Sequence, residues 1–288
     1  MNEIIIKMLE KYACHSVNDY ENALKEIIQE IALLGLWRGK FFEKAAFYGG
    51  TALRILYGLD RFSQDLDFSL LKTEPGFNFS TYLPFIAQEL KGFDFDVTVQ
   101  EKIKTDMNPI LSAFIKSSTK TLFLKINTPD SFYRMTHTME TLKIKVEIDT
   151  NPPEAFQTES KLLLQPIPFY VNTYQRPDLF AGKCHALLCR KWKNRVKGRD
   201  WYDLVWYISH NIPCRLLHLQ KRLEQTGHWS EDHSLTLSDL QRLLQERILH
   251  INFNKAKEDV IAFLKNPQAI EMWSTDFFEQ VIKKISAC

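Results

Sequence analysis

The chain has 288 residues, 45% of them hydrophobic, with 37 basic and 35 acidic side chains giving a net charge of +2. That composition excludes disorder and allows one large core or two modest ones, and the length favours two. No apolar run approaches the roughly 20 residues that cross a bilayer, and Glu3, Lys7, Glu10 and Lys11 interrupt the N-terminus, so a soluble, cytoplasmic protein without membrane association is expected.

Cys14, Cys184, Cys189, Cys214 and Cys288 show neither C-x-x-C spacing nor a nearby paired-histidine pattern, which predicts reduced thiols and no structural zinc. Charge is unevenly divided: residues 1–175 carry 19 basic and 22 acidic side chains, residues 176–288 carry 18 and 13. Arg190, Lys191, Lys193, Arg195, Lys197 and Arg199 fall within ten residues with no acid among them. Such a run is either a footprint for a polyanion or a solvated basic helix end.

In chain order, residues 17–36 carry apolar side chains at helical spacing (Ala23, Ile27, Ile28, Ile31, Leu34). Residues 45–48 read as a short buried strand ending at Gly49-Gly50, and Thr51 to Tyr57 as a two-turn helix closed by Gly58. Residues 65–71 alternate, with Leu66, Phe68 and Leu70 on one face and Asp65, Asp67 and Ser69 on the other. Further strands are expected at 95–102, 120–127 and 142–149, with a helix at 81–90. Asn151-Pro152-Pro153 closes the last strand, and a loop containing Pro166 and Pro168 leads to Arg176-Pro177-Asp178. Beyond it the pattern is helical: 178–193, 200–210, 213–225, 236–250, 254–265 and 268–285. These readings give an α/β domain over 1–175 and a helical domain over 176–288.

Three components carry chemistry. The Gly49-Gly50-Thr51 turn joins a strand to a helix start, so its backbone N–H groups converge on an anion position; two glycines admit close approach of phosphate, and the Thr51 hydroxyl is a further donor. Thr51 has an equally simple structural part as helix N-cap. Asp65 and Asp67 project from one strand face, an arrangement that calls for water, basic side chains or a hard cation such as Mg²⁺ held jointly with substrate phosphates. In Lys143-Ile144-Lys145-Val146-Glu147-Ile148-Asp149, the charged side chains share a face; either Glu147, or else Asp149, is a third carboxylate for a two-metal site, or the face is a solvated one of alternating charge. Tyr48, Phe68 and Trp192 are candidates for base stacking, but core packing is the simpler assignment.

The run GGTALRILYGLDRFSQDLDF, residues 49–68, resembles the first motif of the AbiEii/AbiGii family of nucleotidyltransferase-like toxins, relatives of the polymerase-β-type fold. Thirteen residues separate Thr51 from Asp65, and Arg61 and Ser63 fit the Arg-x-Ser-x-Asp form of that family. The resemblance also implies a lysine and an Arg-Asp-x-x-Asp-Leu in the helical part, matched by Lys183, with Arg190, and by Arg199-Asp200-Trp201-Tyr202-Asp203-Leu204. It extends from about Phe47 to Leu204.

The implied fold is a nucleotidyltransferase-like mixed sheet with flanking helices, followed by an all-helical domain that completes the active site. The implied activity is transfer of NMP from an NTP, with Mg²⁺, by the toxin of a toxin–antitoxin or phage-defence system. RNA, with the tRNA 3′ end foremost, is the expected acceptor and an antitoxin protein the expected partner. A protein hydroxyl as acceptor, and an idle NTP- or RNA-binding module, are the alternatives. Gly49, Gly50, Thr51, Arg61, Ser63, Lys183 and Arg190 are the expected nucleotide-binding residues, and Asp65, Asp67, Lys183 and Asp203 the catalytic ones. The metal ligands are expected to be Asp65, Asp67 and Glu147. Lys183 and Arg190 lie seven residues apart on one helix face, as a clamp for triphosphate charge. Asp203 either orients Lys183 or acts as a base, and Asp200 either joins it or caps a helix.

Overall fold

The computed structural model describes residues 2–102, 109–126, 141–190, 196–230 and 232–288. The chain divides into two compact units. The first comprises residues 1–56, 62–152 and 160–173; the second comprises 57–61, 153–159 and 174–288.

Most of the first unit is built on helices α1 (Glu3–Glu10), α2 (Val17–Arg38), α3 (Gly49–Tyr57), α4 (Leu83–Gly92) and α5 (Thr119–Lys125). Its strands are β1 (Ala45–Tyr48), β2 (Leu66–Leu70), β3 (Thr98–Glu101), β4 (Ile110–Ser118), β5 (Thr141–Asp149), β6 (Thr158–Leu163) and β7 (Phe169–Tyr174), in one seven-stranded sheet ordered β3-β4-β5-β2-β1-β7-β6. β2 pairs antiparallel with β1 and parallel with β5, and β4 pairs antiparallel with β5.

α2 begins at a capping box, in which the Ser16 hydroxyl accepts from the Asp19 N–H and the Asp19 carboxylate accepts from the Ser16 N–H. Its apolar face, Leu24, Ile27, Ile28, Ile31 and Leu34, is fully buried in a core shared with Ile144, Val146 and Ile148 of β5. Each such side chain contributes about 1.5–3 kcal/mol on leaving water. The opposite face of β5, Lys143, Lys145, Glu147 and Asp149, is exposed or half-buried. Period-two alternation thus separates the apolar core from the charged side chains along one strand.

The second unit contains α6 (Arg176–Cys189), α7 (Gly198–Ser209), α8 (Leu216–Gln225), α9 (Leu237–Leu249), α10 (Phe253–Val260) and α11 (Thr275–Ile282). Trp201 of α7 packs edge-on against Phe253 and Phe278, which stack on each other at 4.6 Å. The five cysteines are free thiols.

Several expectations need correction. Residues 119–125 form helix α5, not a strand: Leu122 and Phe123 are adjacent and both fully buried, which neighbouring positions on a helix allow and strand alternation does not. Asn127, at the end of that expected strand, lies outside the described residues, as do Lys191, Trp192, Lys193 and Arg195 of the basic run. The stretch expected to be a loop around Pro166 and Pro168 contains strands β6 and β7, and the prolines fall between them. Residues 268–285 are not one helix but a 3₁₀ turn, Pro267–Ile270, followed by α11. Strand β4 and helix α1 were not anticipated.

Gly35 sets how closely α2 and α4 approach. A Cβ there would stand 2.8 Å from the Ile86 Cα and from the Phe85 carbonyl oxygen, both main-chain atoms that cannot rotate aside. Gly35→Ala is therefore expected to lower the unfolding free energy by about 1–3 kcal/mol, the usual cost of overpacking. Gly92→Ala, where nothing lies within 4 Å of the added atom, should be neutral or slightly stabilising. Urea denaturation of both variants checks the contrast, and equal stabilities would refute it.

Candidate active site

In the first unit, the turn after β1 is shaped by Gly49, whose φ of +83° is available to glycine at no cost. A Cβ at this position would meet Oδ2 of Asp67 at 2.7 Å, so the absence of a side chain also creates the space that the Asp67 carboxylate fills. α3 starts directly at Gly49, leaving the first-turn N–H groups of Gly49 and Gly50 without i−4 partners in their own helix. Both glycines are partly exposed.

Thr51 is neither exposed nor the N-cap. It is fully buried, its hydroxyl donates to the backbone carbonyl of Asp65, and the Ser63 hydroxyl lies 2.9 Å away. The Ser63 carbonyl in turn accepts from Gln29 Nε2 of α2 at 3.2 Å. These bonds tie the segment 63–65 to the start of α3. Further along α3, Arg54 pairs with Glu26 of α2 at 2.8 Å and lies 4.8 Å from the Phe62 ring centre.

Asp67 stands opposite Tyr48 of β1 and beside Glu147 of β5 in the strand register, while Asp149 pairs one step further on with Ser69. Asp65 immediately precedes β2 and is partly exposed. Glu147 accepts an ion pair from Lys145 Nζ at 2.6 Å and a 3.5 Å hydrogen bond from the Ser112 hydroxyl of β4. Among the described residues, no three His, Cys, Asp or Glu side chains converge as a ready metal-binding group.

The second unit holds a separate cluster. Lys183 of α6 reaches Asp200 Oδ1 and Asp203 Oδ2 of α7, each at 2.7 Å. Arg61 donates through Nε and a terminal nitrogen to the two oxygens of Asp203, both at 2.6 Å, and Arg190 donates to Asp200 Oδ2 at 2.5 Å. Asp203 is fully buried and the Arg61 side chain is 3% exposed, so this bidentate pair is internal to the protein. Lys183 is 13% and Arg190 43% exposed.

Burial works against the charge of Asp200, but Lys183, Arg190 and Lys197 overcome it and hold its carboxyl down to about 2. Burial likewise opposes the charge on Arg61, yet Asp203 raises its pKa. α7 begins at Gly198, which places Asp200 inside its first turn, facing cations, and not at the cap. With three cations to two carboxylates, the cluster has a surplus positive charge, and Lys183 is fixed from two sides as a pre-positioned cation.

The residues singled out in the sequence thus fall into two groups. Gly49, Gly50, Thr51, Ser63, Asp65, Asp67 and Glu147 belong to the first unit, and Arg61, Lys183, Arg190, Asp200 and Asp203 to the second, where ion pairs join them. Sequence reasoning missed Ser112 and Lys145 as partners of Glu147. The alternation that exposes Glu147 also marked Lys145, whereas Ser112 required recognition of β4.

Among the described residues, no helix is long and apolar enough to cross a membrane. No curated protein matches the chain. Solved structures that it resembles include JHP933 from Helicobacter pylori, at 18% identity and TM-score 0.47 over 91% of this chain and 88% of that one, and a structure described as a putative nucleotidyltransferase from H. pylori, at 18% identity and TM-score 0.43 over 89% and 88%. The family model described as nucleotidyl transferase AbiEii toxin, type IV TA system, matches residues 31–280. A match of that extent, over a chain with the glycine turn and the two aspartates in one unit, shows that the protein belongs to the AbiEii family of nucleotidyltransferase toxins.

Proposed function

We propose that this toxin transfers NMP from an NTP to an RNA hydroxyl, with the tRNA 3′ end as first candidate, and that it does so in the cytoplasm with Mg²⁺ until an antitoxin restrains it. The observation that carries this reading is the pairing of an open helix N-terminus at Gly49-Gly50 with the carboxylates of Asp65 and Asp67, a fit that Gly49 makes possible by having no side chain. The backbone N–H groups of the turn supply donors for phosphate oxygens. Thr51, which donates to the Asp65 carbonyl and is hydrogen-bonded to the Ser63 hydroxyl, positions the turn relative to the aspartates.

Oxygen donors suit a hard cation, and two carboxylates completed by substrate phosphates are the usual protein share of a Mg²⁺ site. The strand register supports Glu147 over Asp149 as the third carboxylate, since Glu147 is the neighbour of Asp67. Its pairing with Lys145 must open for it to serve. Bound Mg²⁺ would supply charge neutralisation at the phosphates and lower the pKa of the attacking hydroxyl. In the reaction, the acceptor oxygen forms a bond to the α-phosphorus, the bond from that phosphorus to the β-phosphate oxygen breaks, pyrophosphate leaves, and the hydroxyl proton passes to water.

Lys183 supplies positive charge for the triphosphate in this reading. Asp200 and Asp203 orient it, and Arg61 acts by fixing Asp203. Asp203 is better suited to orientation than to base catalysis, because it is fully buried and both its oxygens accept from Arg61.

Purified protein and an Asp67→Ala variant, incubated with each α-labelled NTP, Mg²⁺, total tRNA and cell lysate, should differ by label on RNA. Label on a polypeptide instead would transfer the reading to a protein acceptor, and no label dependent on Asp67 would sink both enzymatic readings. Lys183→Ala is expected to lower kcat by about 10²-fold per folded molecule, the scale for one pre-positioned donor. A kcat within twofold of wild type would remove Lys183 from the chemistry.

Acid stability follows from Asp200. Its folded pKa lies below its ordinary 3.8, so its contribution is present above pH 4 and is lost as pH falls toward about 2. The loss amounts to about 2 kcal/mol. Unfolding free energies of wild type and Asp200→Asn from pH 6 to pH 2 should converge by that amount at the acid end, and parallel curves would contradict it.

A further inference from the structure

We propose that the polar face of β4 and β5 is the track along which a single-stranded RNA 3′ end approaches the carboxylates, with Phe114 as a stacking platform and Lys116, Lys143 and Lys145 as phosphate contacts. The inference rests on the RNA reading above and adds where that substrate lies.

The register joins these residues to the candidate site without a break. Asp67 neighbours Glu147; Glu147 pairs with Ser112, Lys145 with Phe114, and Lys143 with Lys116. Paired residues project from the same face of a sheet, and successive same-face positions on a strand are about 6.6–6.8 Å apart. A row of three lysines around one aromatic ring therefore starts one step from Glu147 and runs on along the half of β5 that extends beyond the start of β2. Phe114, Lys116 and Lys145 are half-buried and Lys143 is exposed, while the alternate positions Leu142, Ile144 and Val146 are in the core. β3 continues the face with Gln100 and Thr98, both exposed, opposite Phe114 and Lys116.

The ring is already a cation site. Lys143 Nζ lies 3.9 Å and Lys116 Nζ 5.8 Å from its centre. An exposed cation–π contact is weaker than base–aromatic stacking, so a base displaces the ammonium groups from the ring and the freed lysines turn to the flanking phosphates. Lys145 moves with Glu147: when Glu147 is drawn to a cation, the ammonium that paired with it at 2.6 Å gains a phosphate partner. Charge and aromatic surface together select a polyanion with exposed bases, and a duplex with its bases stacked inside has no use for Phe114.

The test compares full-length wild type with Phe114→Leu, Phe114→Tyr and the double variant Lys116→Ala/Lys143→Ala. Three quantities are read: KM for an RNA acceptor in the labelling reaction, Kd for a fluorescent single-stranded RNA across a salt series, and NTP binding as the control that each protein is folded and its glycine turn intact. Phe114→Leu should raise KM and Kd by about tenfold with kcat and NTP binding retained, and Phe114→Tyr should restore both. The double variant should lower the slope of log Kd against log salt by about 1.4, two phosphate contacts at about 0.7 each.

RNA labelling by wild type with unchanged KM and salt slope in all variants would overturn the track and leave the RNA reading standing. Label found only on polypeptide would overturn the RNA reading itself. Equal loss for Leu and Tyr at position 114 would also overturn the track, since it would show a packing defect and not a lost stacking face.

Discussion

The position of β2 between β1 and β5 is the constraint on which the placement of carboxylates in the first unit depends. β2 meets β1 antiparallel, so Asp67 stands opposite Tyr48 at the strand end where the chain turns through Gly49. It meets β5 in parallel, so the same aspartate also neighbours Glu147. A slip of one residue in either pairing would turn Asp65 and Asp67 into the core and Leu66, Phe68 and Leu70 outward. Phe68, fully buried and packed at 5.1–5.2 Å against Phe41 and Phe47, opposes that slip. The hydrophobic face of β2 thereby specifies the position of the carboxylates on its other face.

The second unit solves a different problem, that of keeping ionic groups inside a fold. Asp203 and Arg61 are almost wholly withdrawn from water, and Asp200 is 4% exposed. An isolated buried charge is costly, and removing one member of such a set typically destabilises by about 3–5 kcal/mol. Here each carboxylate is satisfied on both oxygens: Asp203 by the Arg61 fork and Lys183, Asp200 by Lys183 and Arg190. A network satisfied at every member is stiff. Its stiffness fixes Lys183, whose ammonium is held between two carboxylates while its side chain keeps contact with solvent.

Which parts were legible in the sequence follows from the range of the interactions involved. Alternation in 65–71 and 142–149 is a local signal, and it correctly separated Asp65, Asp67 and Glu147 from the apolar positions beside them. Helical periodicity likewise located most of the second unit. Thr51 was misread because its hydroxyl bonds to a main-chain carbonyl, at Asp65, and a carbonyl has no letter in the sequence. Arg61 looked like a ligand for the nucleotide because its partner, Asp203, lies 142 residues away and nothing local indicates the pair. β6 and β7 were hidden by prolines that occupy the short connection between them, and α5 by an apolar spacing that suits either a strand or a helix over so few residues.

β5 changes sign along its polar face: Lys143 and Lys145 in one half, Glu147 and Asp149 in the other. A nucleic-acid strand is attracted to the first half and repelled by the second, where Asp67 adds to the negative field. On the functional reading proposed above, a cation held by the carboxylates would remove that repulsion, and Lys145, no longer paired with Glu147, would leave the strand face positive along most of its length. Metal loading and acceptor approach would then be coupled through Coulomb interaction. The coupling is strongest where solvent screening is least, at the half-buried pair of Lys145 and Glu147, which links the two halves of the face.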